Sequence, residues 1–261
     1  MDKNTMISKI AQDPEDRLLL ARILDKYEQT QRRSIPTATT FLSPREQAMA
    51  VALLNTAGVR DGYVLDGGYE TAERKVIAFL PDWAEEAGEE LAFLRADFHG
   101  EDSKLTHRDI LGGLMGSGIT RERLGDILVS DHSADIVVAP SLVEFLRQEW
   151  SGAGRVRLTV TEIGRGDLRI PQVKVQRVQD TVSSMRLDAV VSTAFAMARG
   201  KAAELIAAGR VSLNHIPCEK PDKSVGEADI ITVRGFGKAV VRECGRVSKK
   251  GRIILVMDRY I

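Results

Sequence analysis

The last third of the chain carries the pattern that most restricts how it can fold. From Ser184 to Lys238, two short segments with an apolar helical face are followed by a tight turn and small strands, with cations at the junctions. Gly209 follows the second segment, where a left-handed residue can end a helix. Cations on rigid junctions meet phosphates at fixed spacing. The pattern predicts a compact module that binds structured RNA.

The distribution of charge supports a polyanionic partner for this module. The chain as a whole is neutral, with 37 Lys+Arg against 37 Asp+Glu. Residues 1–150 hold 17 basic and 26 acidic side chains, a net charge of −9, whereas residues 151–261 hold 20 and 11, a net charge of +9. Such asymmetry indicates a polyanion as partner for the basic half. A lopsided solvated surface is the alternative, but the cations concentrate at turns and helix starts.

Eight side chains at the ends of the predicted elements are the candidate RNA-binding residues: Arg186, Arg199, Lys201, Arg210, Asn214, Lys223, Arg234 and Lys238. The first four lie where the two helices begin, bend or end, so we expect one surface to present them together. Arg186 could instead pair with Asp188 or Glu204 and merely stabilise the turn. For the set as a whole, phosphate binding explains the pattern better.

The chain has an α+β pattern in four parts. We assign residues 1–81 to a small N-terminal α+β domain, 82–163 to a middle domain, 164–183 to a connector and 184–261 to the C-terminal module. Residues 88–163 have the order β-α-β-β-α-β, which is typical of ferredoxin-like (RRM-like) domains. We expect four strands, with Thr106 and Ser141 capping the two helices.

Local signals supply further expectations for the first 163 residues. Residues 5–30 have helical spacing, Ser43 should cap a second helix, and a hairpin should follow around Asp66. In the middle domain, Phe93 and Phe98 should face opposite sides of one strand. We therefore do not expect base stacking of the usual RRM kind on that sheet.

No motif indicates catalysis, and we predict no catalytic residue, no metal and no cofactor. Gly112–Gly118 lacks the Gly-Lys-Ser/Thr of a phosphate loop and is better explained by closely packed helix glycines. The four histidines and the two cysteines, Cys218 and Cys244, lack metal-ligand spacing. The charged N-terminus and the absence of a run of ~18 apolar residues predict a cytoplasmic protein that does not enter membranes. We expect a monomer.

Residues 184–247 resemble the S-four domain, the αL-type RNA-binding module named after ribosomal protein S-four. They share its Arg-Leu-Asp start, an Arg after the first helix, and Gly-Arg-Val-Ser-Leu-Asn at 209–214. The family often has Ser where this chain has Ala198, so one capping or phosphate hydrogen bond is lost here. The resemblance implies that Lys201, Asn214 and Arg234 present polar groups to RNA.

Residues 41–46 and 107–127 resemble the YlmH-like family, bacterial S-four-domain proteins also known in phototrophs as photosystem II S-four domain proteins. The resemblance covers about residues 40–260. It implies an N-terminal domain, an RRM-like middle domain and an S-four module that bind structured rRNA and tRNA. It further implies ribosome association on the large subunit, in ribosome quality control or translation. Some members were named for a link to cell division.

Two other functions remain open on the residues alone. Pseudouridine synthases also contain Arg-Leu-Asp around a catalytic aspartate, so Asp188 allows an RNA-modifying enzyme. The acidic N-terminal half allows a protein adaptor, including one linked to cell division. A modified nucleotide after incubation with RNA would favour the first, and binding insensitive to nuclease and salt would favour the second. Arg121, Arg123 and Phe236 could each contact RNA or have a structural role.

Overall fold

The structure is a computed structural model that describes residues 2–84, 88, 90–100, 104–172 and 174–261. The chain divides into two compact units, Met1–Pro171 and Gln172–Ile261. The architecture is α+β, with an N-terminal α+β part, a ferredoxin-like middle domain and a C-terminal S-four domain. Among the residues just given, no helix is both long and apolar enough to cross a bilayer.

The N-terminal part packs three helices against a small antiparallel sheet of order β1-β3-β2. Its elements are α1 (Lys3–Ile10), α2 (Pro14–Arg33), β1 (Thr37–Ala38), α3 (Pro44–Thr56), β2 (Tyr63–Asp66) and β3 (Val76–Phe79). The helix expected over 5–30 is two helices, because Pro14 disfavours a helical residue before it and Asp13 caps the new start through Glu15 N–H. Ser43 caps α3, as predicted, and Glu46 completes a capping box with it.

The middle domain has the antiparallel order β5-β6-β4-β8-β7, which is the ferredoxin-like order with one short strand added at an edge. Its elements are β4 (Ala92–His99), α4 (His107–Gly116), β5 (Leu124–Val129), β6 (Ser133–Val138), α5 (Val143–Glu149), β7 (Gly152–Ala153) and β8 (Val156–Ile163). Five strands therefore replace the four expected. The added β7 pairs with the start of β8.

One of the two predicted caps in this domain is confirmed and the other is wrong. Thr106 forms a capping box with Asp109 at the start of α4. Ser141 does not cap α5, because it lies in a short 3₁₀ turn before the helix begins at Val143. Its hydroxyl instead accepts a hydrogen bond of 2.6 Å from Arg123.

The glycine-rich segment lies on α4, as the sequence indicated. A Cβ on Gly113 would lie 3.2 Å from Trp150 Nε1 and 3.3 Å from Ala153 Cβ, so this glycine permits close packing of the helix. Gly118, just after α4, has a φ of +82°. The segment therefore ends a helix and does not form a phosphate loop.

The C-terminal unit packs two helices on a six-stranded sheet of order β11-β10-β12-β13-β14-β9. Its elements are β9 (Val175–Val182), α6 (Leu187–Ala194), α7 (Arg199–Ala207), β10 (Val211–Leu213), β11 (Ile216–Pro217), β12 (Ile230–Val233), β13 (Gly237–Val247) and β14 (Ile253–Tyr260). Strand β9 comes from the segment assigned to the connector. Val173, just before it, had a strand-like sequence and lies outside the described residues. Gly209 has a φ of +65° and ends α7 as expected.

Candidate nucleic-acid interface

The start of α6 is capped by the backbone of a distant loop. Leu187 N–H donates to the Lys223 carbonyl at 2.8 Å, and Asp188 N–H donates to the Pro221 carbonyl at 3.0 Å. Asp188 Oδ1 accepts from Ala189 N–H at 2.8 Å. These contacts satisfy helix N–H groups that have no partner within the helix. They also fix Lys223 beside the first turn of α6.

A single buried carboxylate holds two arginines at this point. Asp188 accepts from Arg186 Nε at 3.2 Å and Nη2 at 3.1 Å, and Arg199 Nη2 lies 3.0 and 3.1 Å from its two oxygens. The Asp188 side chain is 8% exposed, whereas those of Arg186 and Arg199 are 42% and 48% exposed. The carboxylate thus fixes one end of each guanidinium and leaves the rest accessible to solvent.

The ionisation of Asp188 suits this role. Burial works to raise the pKa of its carboxyl, but the hydrogen bonds from Arg186 and Arg199 outweigh burial and hold the pKa below its usual range. Asp188 is therefore a charged anchor. A carboxylate engaged in this way positions both guanidinium groups.

The start of α7 adds a third cation. Arg199 is the first residue of α7, and Lys201 lies two residues further on, with Nζ 3.1 Å from Glu204 Oε2. Ala198 stands at the N-cap and makes no side-chain capping bond, as its missing hydroxyl requires. We call these residues the helix-start cluster: Arg186, Asp188, Arg199, Lys201 and Lys223.

Two further candidates meet at the other end of α7. Arg210 Nη2 donates to the Arg234 carbonyl at 3.0 Å, and Arg234 N–H donates to the Arg210 carbonyl at 2.9 Å. Both residues are exposed. Because nine helical residues span about 13 Å, these two cations lie well away from the helix-start cluster. The structure therefore joins Arg186 and Arg199 through Asp188, places Lys201 two residues further along α7, and places Arg210 beyond the other end of that helix.

The last two candidates have intramolecular contacts. Asn214, with a φ of +51°, donates from Nδ2 to Asp229 at 2.8 Å and accepts from Ile230 N–H at 2.9 Å. This side chain therefore ties the turn after β10 to the start of β12. Lys238 Nζ lies 4.4 Å from the centre of the Tyr260 ring, a cation–π contact.

The N-terminal part covers the sheet face of the middle domain on which RRM domains stack bases. Phe98 packs under the helices, and Phe93 lies on the opposite face, as predicted. Phe93 is buried with Phe41 and Val76 of the N-terminal part. Gly68, with a φ of +91°, passes so close that a Cβ there would lie 2.5 Å from Phe93 Cε1.

The rest of that face carries a buried ion pair. Arg95 Nε and Nη2 donate to Asp135 at 2.7 and 2.8 Å, and Arg169 N–H donates to the same carboxylate at 2.7 Å. Arg95 also donates to the Asp167 carbonyl at 2.7 Å. Protein groups therefore already occupy the centre of the face that would receive RNA bases.

Comparison with known proteins agrees with this architecture. Three family models match the chain: "YlmH, N-terminal" at residues 15–98, "Putative RNA-binding domain in YlmH" at 87–167, and "S4 domain" at 185–231. The "Ribosome-associated protein quality control protein P2" of Bacillus subtilis (strain 168) is 34% identical over 223 residues, which are 85% of this chain and 86% of that protein. The chain belongs to the YlmH family.

A solved structure is also similar to this YlmH-family protein. It is described as "Cell division protein ylmH from Streptococcus pneumoniae". Its sequence is 22% identical, its TM-score is 0.49, and the match covers 62% of this chain and 98% of that one.

Arg121 and Arg123, which the sequence left open as either RNA contacts or structural residues, both have intramolecular contacts in the middle domain. Arg121 donates to the carbonyls of Leu124 and Gly125 at 3.0 and 2.9 Å, and burial together with the nearby charge of Arg74 lowers its pKa to about 10. Arg123 donates to the Ser141 hydroxyl. Both side chains thus stabilise the middle domain. Phe236 is 40% exposed in the turn before β13.

Three cations on the β13–β14 hairpin did not enter the sequence-based candidates: Arg246, Lys249 and Lys250. They lie in the segment Arg-Val-Ser-Lys-Lys-Gly-Arg, residues 246–252, which contains four cations and no acidic residue. That run of like charge across a turn was the signal that could have identified them. The S-four match ends before this hairpin begins.

Proposed function

We propose that this YlmH-family protein binds structured RNA without chemically changing it, and that the helix-start cluster is its main contact. The observation that carries the proposal is the sharing of Asp188 by Arg186 and Arg199. A guanidinium has five N–H donors, and Asp188 engages only some of them. Each arginine therefore presents fixed donors to a phosphate with little further ordering.

We further propose that the RNA partner is ribosomal RNA. The Bacillus subtilis relative is named as ribosome-associated and as a quality control protein, and the basic C-terminal unit suits a ribosomal RNA partner. We propose association with the large subunit through ribosomal RNA and tRNA, in ribosome quality control or translation, by a cytoplasmic monomer. The pairing of Asp188 with two arginines favours this positioning role over the pseudouridine synthase alternative.

The contacts of Arg199 decide which variant tests the site. Charge reversal at Arg199 would place a second carboxylate against buried Asp188, so Arg199→Gln with Lys201→Gln is the better variant. Arg32→Gln with Arg33→Gln is the matched control, because it removes two charges from exposed positions at the end of α2. Circular dichroism and thermal unfolding check the fold of both variants.

The measurement is co-sedimentation of the full chain with ribosomes across a range of salt concentrations, with and without nuclease. Each charge-assisted hydrogen bond contributes ~1.5 kcal/mol, so the site variant should bind about 100-fold more weakly. Its log–log salt slope should fall by about 1.5, since each lost phosphate contact removes ~0.7–0.9. Binding of the site variant equal to that of the control would refute the assignment.

A truncation can test the same assignment if it follows the observed units. A fragment ending at residue 150 would lose β8, whereas one ending at Pro171 keeps the middle sheet complete. We expect the 1–171 fragment to bind ribosomal RNA far more weakly than the full chain does. Equal binding by the fragment and by the full chain would assign RNA binding to the N-terminal unit.

A further inference from the structure

The far end of the β13–β14 hairpin is a charged feature outside the S-four match. Strand β13 pairs with β12 only as far as Val240, whereas its pairing with β14 continues to Val247. Beyond Val240, residues 227–229 still hydrogen-bond to Val241 and Cys244 on the β12 side, but they form no strand there. On the other side, β9 follows β14 up to the pair Ile253–Val182. Residues 242–252 therefore extend past the edge formed by β12.

Two arginines in this extension are held by the sheet. Arg242 pairs with Asp258 at 2.6 Å. Arg252 donates to the carbonyl and hydroxyl of Thr181 on β9, at 2.6 and 3.0 Å. The Arg242–Asp258 pair joins the two strands of the hairpin, and the Arg252 contacts tie its turn end to β9.

The other three cations have no such partner. Arg246, Lys249 and Lys250 are exposed, and within the described part of the chain none has a carboxylate in ion-pair range. The helix-start cluster differs, because Arg186, Arg199 and Lys201 each contact an acidic side chain. Three like charges within five residues repel one another, and a polyanion would relieve that repulsion.

A β-bulge between Cys244 and Val247 includes the first of these cations, Arg246. The register shifts between Cys244 and Val247, and Gly245 has a φ of +134°. Cys244 N–H donates to Glu227 Oε1 at 2.9 Å, which fixes the strand at the shift. Bulges bend a strand and redirect its side chains. The bulge therefore sets the direction in which the Arg246 side chain leaves the strand.

We propose that Arg246, Lys249 and Lys250 form a second phosphate-binding surface that contacts the backbone of the same structured RNA. The inference rests on the proposed function. Strand β13 also contains Lys238, another of the candidate RNA-binding residues, and Arg246 lies eight positions further along, at most about 26 Å away. Lys238 and Arg246, held at that distance on a single strand, suit two separate phosphates of a folded RNA.

The test replaces the three cations by glutamine in the full chain: Arg246→Gln, Lys249→Gln and Lys250→Gln. The control variant, Lys9→Gln, Arg32→Gln and Arg33→Gln, removes the same charge from exposed positions in the N-terminal unit. A third variant keeps the charge by exchanging Arg246→Lys, Lys249→Arg and Lys250→Arg. The probe is deproteinised ribosomal RNA, with dissociation constants measured over a range of salt concentrations.

We expect the glutamine variant to lower the log–log salt slope by about 2, since each phosphate contact adds ~0.7–0.9, and to weaken binding at least about tenfold at physiological salt. The control and charge-retaining variants should bind as the unaltered chain does. Unchanged RNA binding by the glutamine variant, alongside loss in Arg199→Gln/Lys201→Gln, would overturn this inference and leave the proposed function standing. If the unaltered chain fails to bind the RNA, both are overturned.

A parallel measurement distinguishes RNA from a membrane surface. Vesicles of phosphatidylglycerol and phosphatidylcholine present anionic headgroups to the same variants. We expect no difference between the glutamine variant and the control in vesicle binding. Loss of vesicle binding with RNA binding unchanged would assign the hairpin to a lipid surface and overturn the inference.

Discussion

In the middle domain, Arg95 donates to Asp135 from within a covered sheet face, and its side chain is 14% exposed. In the S-four domain, Arg186 and Arg199 share Asp188, and each keeps more than 40% of its side chain exposed. Both regions thus contain a buried carboxylate that fixes arginine. The difference lies in where the rest of the guanidinium points. In the first case protein groups consume its donors, and in the second they remain available.

The same contrast extends to the contact between the N-terminal part and the middle domain. Arg74 donates to the carbonyls of Leu124, Phe41 and Arg121, and burial lowers its pKa. Asp126 accepts from Tyr69 Oη and from two backbone N–H groups of the segment that includes Arg74. Residues 2–171 therefore use these arginines for internal hydrogen bonding. Charge counts alone do not distinguish such arginines from those that are free to bind a phosphate.

The largest expected effect concerns the buried pair of the middle domain. Asp135→Ala leaves the Arg95 guanidinium without its carboxylate in a buried site, which should cost about 3–5 kcal/mol of folding free energy. The RNA affinity of the folded variant, measured without urea, should not change. Urea unfolding followed by circular dichroism gives the stability. A folded variant with weakened RNA binding would show that the covered face takes part in recognition.

A smaller effect is expected at the shared carboxylate of the S-four domain. Asp188→Asn removes the charge that holds two arginines, so both stability and RNA affinity should fall at pH 7, the stability by about 2 kcal/mol. The folded-state pKa of Asp188 lies below its unfolded value of ~3.9, so its charge stabilises the fold above that pH. The stability difference between the two proteins should therefore shrink as the pH falls below about 4.

Unfolding midpoints at pH 7 and pH 3 measure this difference. Asn keeps the shape of the side chain, so a cavity does not confuse the result. A stability gap that stayed constant between the two pH values would mean that the charge of Asp188 does not hold the helix starts together.

The smallest expected effect concerns the helix start that lacks a cap. Ala198→Ser supplies a hydroxyl at the N-cap of α7 and should stabilise the domain by about 0.5–1 kcal/mol. A gain in thermal stability with unchanged RNA affinity would assign that hydroxyl to capping. A gain in RNA affinity without a gain in stability would assign it to a phosphate contact and extend the helix-start cluster to Ala198.

Local patterns in the sequence predicted local structure well. The helix caps at Ser43 and Thr106 and the left-handed Gly209 depend on a few neighbouring residues, and all three are as expected. The prediction at Ser141 failed because the chain turns once more before α5 begins. Strand β9 was not separated from the connector, since its sequence is polar and its pairing partner lies more than 70 residues away.

The sequence by itself determined the α+β class, the family and the concentration of positive charge in the C-terminal half, because these follow from composition, short-range spacing and motifs. Only the tertiary structure decided which cations are available. It joined Arg186 and Arg199 through Asp188, paired Arg210 with the Arg234 backbone, and covered Phe93 and Arg95. Whether a guanidinium serves the fold or a partner depends on groups brought near it by long-range packing, and spacing along the chain does not encode that proximity.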